Sequence, residues 1–407
     1  MGGAASTGKP PFGAKTPAQA VAEHYKARAA GKVFLVTVRG RCSARCRDAR
    51  VRCALPSAAP ECACATCHGA ACALSLLCTE APCECHGRAI FAVTRPRLTP
   101  QGAGAGLGFE SSRALASVGA RVYMATRSAA ASDDAVKRVK AALGAAGGSA
   151  DVRPLVLDLS SIASVEAGAA AFLASEPRLH CLMNNAGVMA QPLATTKDGF
   201  EMQFGVNHVG HQHLTALLLP ALAAAGSAEE PARVGCLSSR GNWFFELPEG
   251  IAFDSLPPVL SQYSRWTRYG ETKLCNILMA EEVSRRCAAA GQHVIGVSLH
   301  PGVILGTKLA RHFDLTSTVV MLRSLMARGR TIAALTQPNK PIPAGASTQL
   351  LCALQPGIAG GYYADCVPDT RYISKRAGDA ALAAKLWEYT AAAIADAKAA
   401  AARASKA

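Results

Sequence analysis

From Gly102 to the C-terminus the chain alternates short β-rich runs with longer helical stretches, and this alternation decides most of what it can fold into. The runs are Arg121 to Ala125, Arg153 to Leu157, His180 to Met183, Arg233 to Ser238 and His293 to Leu299; an earlier one, Lys32-Val-Phe-Leu-Val-Thr37, has the same character. Strands separated by helices run parallel, because each crossover returns the chain to the same end of the sheet. The expectation is an α/β fold, a mostly parallel, doubly wound sheet in a single domain, since the segments are spaced too closely for a second. Residues 1–31 read as a flexible N-terminal arm, 32–387 as the domain, and 388–407 as an Ala-rich, solvated C-terminal helix or tail.

Half of the 407 residues are apolar and 17% are charged, which excludes a disordered chain. The net charge of +15 would suit a nucleic-acid partner, but nine arginines against four acids fall within residues 38–101. The rest is mildly basic, as a phosphate-rich cofactor requires, and no nucleic-acid partner is expected. No apolar run reaches the roughly 18 residues of a membrane span. The start Met1-Gly-Gly-Ala-Ala-Ser6 fits the N-myristoylation pattern, which would give peripheral membrane association, and its Ala/Ser/Lys-rich, nearly acid-free composition also allows a plastid or mitochondrial presequence. The reading adopted is an untargeted cytoplasmic arm. Cys181, Cys236, Cys275, Cys287, Cys352 and Cys366 lie scattered in apolar sequence and read as reduced core residues.

Three local patterns carry chemistry. Gly102, Gly106 and Gly108 form G-x-x-x-G-x-G directly before a helical run, with Leu107 between the last two; glycines let a turn approach a pyrophosphate seated on the helix N-terminus. Arg121-Val-Tyr-Met-Ala-Thr-Arg127 ends without the acid that would bind an adenosine ribose 2′-hydroxyl, and Arg127 suits a 2′-phosphate, so NADP(H) is expected over NAD(H). Tyr269 and Lys273 stand four apart in an amphipathic helix and share a face; a cation beside a phenol lowers its pKa, which would make Tyr269 an acid/base near neutral pH.

In chain order the sequence then carries Asn184-Asn-Ala-Gly187, Asn207, Leu237-Ser-Ser239, Tyr269-x-x-x-Lys273 and His300-Pro-Gly302. With these motifs the chain from Gly102 to about Trp387 resembles the short-chain dehydrogenase/reductases. Leu299-His-Pro-Gly-Val-Ile and Gly361-Tyr-Tyr-Ala-Asp365 are most similar to the branch of retinol dehydrogenases, WW-domain oxidoreductases and protochlorophyllide oxidoreductase-like proteins. The resemblance implies a Rossmann-like fold with Tyr269 as proton donor to a carbonyl and Ser239 as the hydroxyl holding that oxygen. It implies further that Lys273 binds the nicotinamide ribose and depresses the Tyr269 pKa, and that Asn207 positions a water in a proton relay. Asp158 matches a contact to the adenine, Asn184 to Gly187 with Ala186 the loop over the adenosine side, and Thr37, Pro301 and Gly302 further cofactor positions. Ser238 and Ser239 both remain candidates for the catalytic hydroxyl, because strand register decides which faces the site. Homo-oligomerisation is common in the family.

In that family the first strand runs straight into the glycine turn, whereas here residues 38–101, 64 of them, separate Thr37 from Gly102. Joining the two restores Val-Phe-Leu-Val-Thr-Gly-Ala-Gly-Ala-Gly-Leu-Gly. The segment opens on Val38, whose codons begin GT, and ends on Gln101, one of whose codons is CAG, the borders of a spliceosomal intron. It contains no Lys, Asn, Met, Tyr or Trp and much Ala, Arg, Cys and Pro, as translated GC-rich noncoding DNA would. The expectation is a retained in-frame intron forming a disordered Cys/Arg/Ala-rich insert. Its ten cysteines include Cys62-x-Cys64-x-x-Cys67-His68 and Cys83-x-Cys85-His86, which look metal-like, and Cys64 to His68 fits a haem-attachment pattern; the pairs do not repeat at finger-like spacing, and no metal is expected.

The function expected is an NADP(H)-dependent oxidoreductase interconverting a carbonyl and an alcohol on a small hydrophobic substrate, with retinoid, steroid, pigment-precursor and lipid-aldehyde classes all open. Asp314 to Gln337, rich in Leu, Val and Met, falls at the family's variable substrate lid. The alternatives are a cofactor-binding scaffold or regulator with little turnover, and an isoform impaired by the insert.

Overall fold

The computed structural model describes residues 11–38, 106–256, 263–304, 315–329 and 338–404. Gly102, the segment from Arg39 to Gln101 and its strand-like run Ala89 to Thr94 lie outside the described residues. Eight strands form one sheet: β1 Val33–Thr37, β2 Arg121–Thr126, β3 Val152–Val156, β4 Cys181–Asn184, β5 Ala232–Leu237, β6 Val294–His300, β7 Tyr362–Ala364 and β8 Val367–Pro368. Their order is β3-β2-β1-β4-β5-β6-β7-β8, parallel throughout except for the last pair. The principal helices are α1 Ala18–His24, α2 Leu107–Ser117, α3 Ala129–Ala142, α4 Ile162–Leu173, α5 Gly210–Ala225, α6 Arg265–Ala289, α7 Leu315–Ala327, α8 Ile342–Leu354 and α9 Ala380–Ala404.

The sheet is covered on both faces, so its strands are apolar on both sides. Alternation along β1 divides the core: Phe34 and Val36 pack with α1, α2, α3 and α8, while Val33 and Leu35 pack with α4, α5 and α6, where Phe172, Leu214, Leu218 and Met279 fill the layer. Strand order reverses between β1 and β4, so the connections leaving their C-terminal ends diverge and open a crevice there. Thr37 and the loop after Asn184 sit at that point.

Two terminal segments differ from expectation. Residues 18–29 do not lie in a flexible arm: α1 and the turn Lys26–Ala29 bury Ala18, Val21, Ala22 and Ala29 against the core. These are mostly alanines, too small to stand out as an apolar stripe. Helix α9 begins at Ala380, earlier than residue 388, and is anchored by Ala383, Leu386, Thr390 and Ile394, so only its final turns are solvated. The β7–β8 hairpin was not among the expected runs, since three and two residues are too few for a periodic signal. Its two-residue loop, Asp365 and Cys366, has φ of 54° and 64°, the left-handed pair of a type I′ turn. All six cysteines outside the 38–101 segment are buried and unbridged, and among the described residues no helix is long and apolar enough to cross a membrane.

Candidate active site

The crevice is built around one hydroxyl. Thr37 Oγ1 accepts the backbone N–H groups of Asn185 and Ala186, each at 2.9 Å, and lies 3.1 Å from His211 Nε2 on α5. The Asn185 amide returns to Thr37 O at 2.7 Å, and Gln349 on α8 donates to its oxygen at 3.1 Å. Gly106 precedes α2, and among the described residues nothing lies within 4 Å of where its side chain would stand. A Cβ on Gly108 would lie 2.4 Å from Asn185 Nδ2, so only glycine lets the first turn of α2, begun by Leu107, close on the β4 loop. A dinucleotide phosphate therefore fits: helix start, glycines and clear space coincide. Asn185 belongs to the Asn184 to Gly187 motif, whereas Gln349, which acts only through its bond to Asn185, had no sequence signal of its own.

Arg127 is exposed just beyond β2, and Ala125 and Thr126 before it bring no acid. Asp158 spends its carboxylate on its own loop, accepting from Ser160 N (3.1 Å) and Oγ (2.8 Å) and pairing with Lys197 at 3.3 Å. Burial works against its ionisation, but the Ser160 and Lys197 contacts hold it below its usual value. Asn184 is the last residue of β4, and its side chain is fully buried and donates to Thr215 Oγ1 at 3.0 Å. Asn185 and Gly187 are the partly exposed residues of the loop that follows, with Ala186 buried between them. Pro301 is buried, and Gly302 has φ +90° with the stem of Lys340 across it, 2.8 Å from where its Cβ would be. Lys340 is ion-paired with Asp365 of the hairpin loop, a support for this turn that sequence spacing gave no hint of.

Asn207 lies in the irregular turn Gly205–Val209 before α5. Its Oδ1 accepts from Val188 N at 2.8 Å, and its Nδ2 donates to Val188 O (2.9 Å) and Thr272 Oγ1 (3.0 Å), tying the β4 loop to α6. Register separates the two serines: Ser238 Oγ donates to Lys273 O at 2.8 Å from a buried position, whereas the Ser239 hydroxyl is bonded to that of Tyr269 and accepts from Gly241 N at 3.2 Å. The Tyr269 ring lies flush against Gly241, whose Cβ would be 3.0 Å from Cε1. Lys273 donates to Leu237 O at 2.9 Å and sits 5.7 Å from the Tyr269 ring centre. Gly187 approaches from the other side, its absent Cβ 3.1 Å from Asn207 Oδ1 and 3.6 Å from Lys273 Nζ. Asn207, Ser239, Tyr269 and Lys273 thus converge with the β4 loop.

The electrostatics differ from expectation. Burial pushes the Tyr269 phenol up to about 12, only partly offset by the Ser239 bond, so it is not unusually acidic. The Lys273 charge is spent on Leu237 O, and burial pushes that ammonium itself down to about 8. The folded chain therefore binds this proton less firmly than the unfolded chain, whose ordinary value is 10.5. Below about pH 8 the fold bears an uncompensated buried charge, and stability rises as pH climbs from about 8 towards 10.5. Melting temperatures from pH 7 to 10 should rise for the native chain relative to Lys273→Met; parallel curves would refute this.

Beside Ser239 and Tyr269 stands an apolar wall. Ala190, Phe244, Phe245, Trp266 and Leu325 of α7 form a cluster, flanked by Met189, Trp243 and Met321. Tyr372 packs edge-on to Trp243, and the Arg240 guanidinium lies 3.9 Å over its ring. The expected lid thus contributes α7 to this wall; residues 305–314 and 330–337 lie outside the described ones. Trp243 and Phe244 belong to the short helical turn Gly241–Phe244 after β5, too short to carry a periodic signal in the sequence.

A family model described as short chain dehydrogenase matches residues 101–230. Retinol dehydrogenase 12 from Homo sapiens is 37% identical over 289 residues, covering 70% of this chain and 82% of its own. Short-chain dehydrogenase TIC 32 B, chloroplastic, from Brassica napus is 36% identical over 293 residues, covering 71% and 85%. The crystal structure of an uncharacterised protein from Mycobacterium paratuberculosis is 30% identical, covers 72% of this chain and 91% of its own, and superposes with a TM-score of 0.52. The chain belongs to the short-chain dehydrogenase/reductase family, oxidoreductases that bind nicotinamide cofactors.

Proposed function

We propose that the chain is an NADP(H)-dependent oxidoreductase that interconverts a carbonyl and an alcohol on a hydrophobic substrate. The observation that carries this is the convergence of Ser239, Tyr269 and Lys273 at the switch-point crevice. When bound, the reduced cofactor supplies a hydride to the carbonyl carbon, with the electron pair of the C=O bond moving to oxygen. Tyr269, protonated throughout the neutral range, gives its proton to that oxygen. The Ser239 hydroxyl already faces Tyr269 and donates to the same oxygen as charge grows there. Lys273 has spent one of its three N–H donors on Leu237 O and offers the others to ribose hydroxyls. Asn207 fixes the loop that closes on the adenosine side. Arg127 supports NADP(H), and the aromatic wall beside Tyr269 supports an apolar substrate.

The similarity to retinol dehydrogenase 12 makes retinoids a first class to test. The full-length chain should consume NADPH in the presence of some members of a panel of retinoid, steroid and aliphatic aldehydes and ketones. NADPH binding with no turnover of any carbonyl would instead identify a cofactor-binding scaffold.

A further inference from the structure

At the far end of the sheet, where β1, β4 and β5 begin, the chain forms a small recess lined by Arg28, Lys32, His180, Glu230 and Arg233. Its empty space of about 340 Å³ runs out into solvent, so its natural occupant is one small ion. Glu230 is the only acid among the described residues that line it. A single oxygen of it serves two cations: Arg28 Nη2 at 2.7 Å, and Lys32. The third cation, Arg233, is 3% exposed and donates only to main-chain oxygens, Ile358 O at 2.8 Å and Gln355 O at 3.2 Å; no carboxylate among the described residues pairs with it. His180 Nδ1 accepts the Val33 N–H at 3.1 Å, which leaves its Nε2 as an N–H donor. Three permanent cations, one carboxylate and a further donor surround a space of ionic size. A buried guanidinium without a counter-charge is costly, and its planar fork matches an oxyanion.

We propose that this recess binds a small inorganic oxyanion of phosphate size, held by Arg28, Lys32 and Arg233. The site is separate from the Tyr269 crevice and does not depend on the reaction there. Titration calorimetry of the full-length chain with inorganic phosphate at constant ionic strength tests it. Saturable binding is expected, weakened about tenfold by Lys32→Met, which removes one charged donor. Glu230→Gln, which removes the only competing acid, should tighten binding by a similar factor, an effect that structural damage would not produce. Both side chains are partly exposed, so both variants should fold. Absence of saturable binding overturns the proposal. So does an affinity equal in the native chain and both variants, as phosphate held in the dinucleotide crevice would give.

Discussion

Tyr269→Phe is expected to slow carbonyl reduction by about 10²- to 10⁴-fold, the usual contribution of a positioned proton donor, while leaving NADPH affinity and folding nearly intact. The substitution removes one oxygen from a buried ring whose position is set by Gly241 and by helix α6, so the cavity it leaves is no larger than a hydroxyl. Ser239 keeps its bond from Gly241 N and its place beside the substrate. What is lost is the proton. With burial pushing the phenol up to about 12, native Tyr269 keeps its proton to give throughout the neutral range, and phenylalanine has nothing to give. Single-turnover oxidation of bound NADPH, read beside a fluorescence titration of cofactor binding, separates the two quantities. A rate within tenfold of native would remove Tyr269 from the reaction, and parallel loss of binding would assign it a structural role.

Joining Thr37 directly to Gly102 is expected to tighten NADPH binding at least about tenfold and to raise the melting temperature by several degrees. Val38 Cγ2 lies 3.2 Å from where a Gly108 Cβ would be, so the end of β1 and the first turn of α2 are already neighbours, and residues 102–105 are long enough to connect them. The entropy of closing a connection grows with the logarithm of its length; shortening this one from residues 38–105 to 102–105 lowers the closure cost by about 2 to 3 kcal/mol. The shortened turn also places glycine N–H groups beside the α2 N-terminus, where a pyrophosphate needs them. Unchanged affinity in the shortened chain would show that the 64 residues do not obstruct the cofactor. Transcript sequencing across the Thr37 and Gly102 codons bears on their origin: if every read retains the segment, the splicing explanation fails.

Much of the fold was legible because burial on both faces of a parallel sheet demands unbroken apolar runs, and five such runs downstream of Gly102 were visible to within a residue or two. The convergence of Ser239, Tyr269 and Lys273 was legible through helical spacing and motif order. What escaped has identifiable physical causes. The choice between Ser238 and Ser239 rests on strand register, which adjacent serines do not encode. The direction of the Asn184 side chain depends on where β4 stops. The raised Tyr269 and lowered Lys273 values follow from enclosure by the whole fold, whereas spacing alone speaks only of the pair. Gln349 reaches Asn185, and Lys340 reaches Asp365, across stretches of chain that meet only in three dimensions.

The anchoring of Thr37 explains how a first strand can survive an interruption placed immediately after it. The residue is fastened sideways: by Asn185 and Ala186 from the neighbouring connection, by His211 from a helix, and by the ladder to β2, which Val38 N extends to Ala125 O at 2.8 Å. Apart from the Val38 bond, these restraints come from parts of the chain other than the one that follows towards Gly102. Lengthening the chain at this seam therefore unseats none of these contacts, and the same junction would accept a foreign peptide or a reporter module at the cost of cofactor affinity and of the closure entropy of the longer connection.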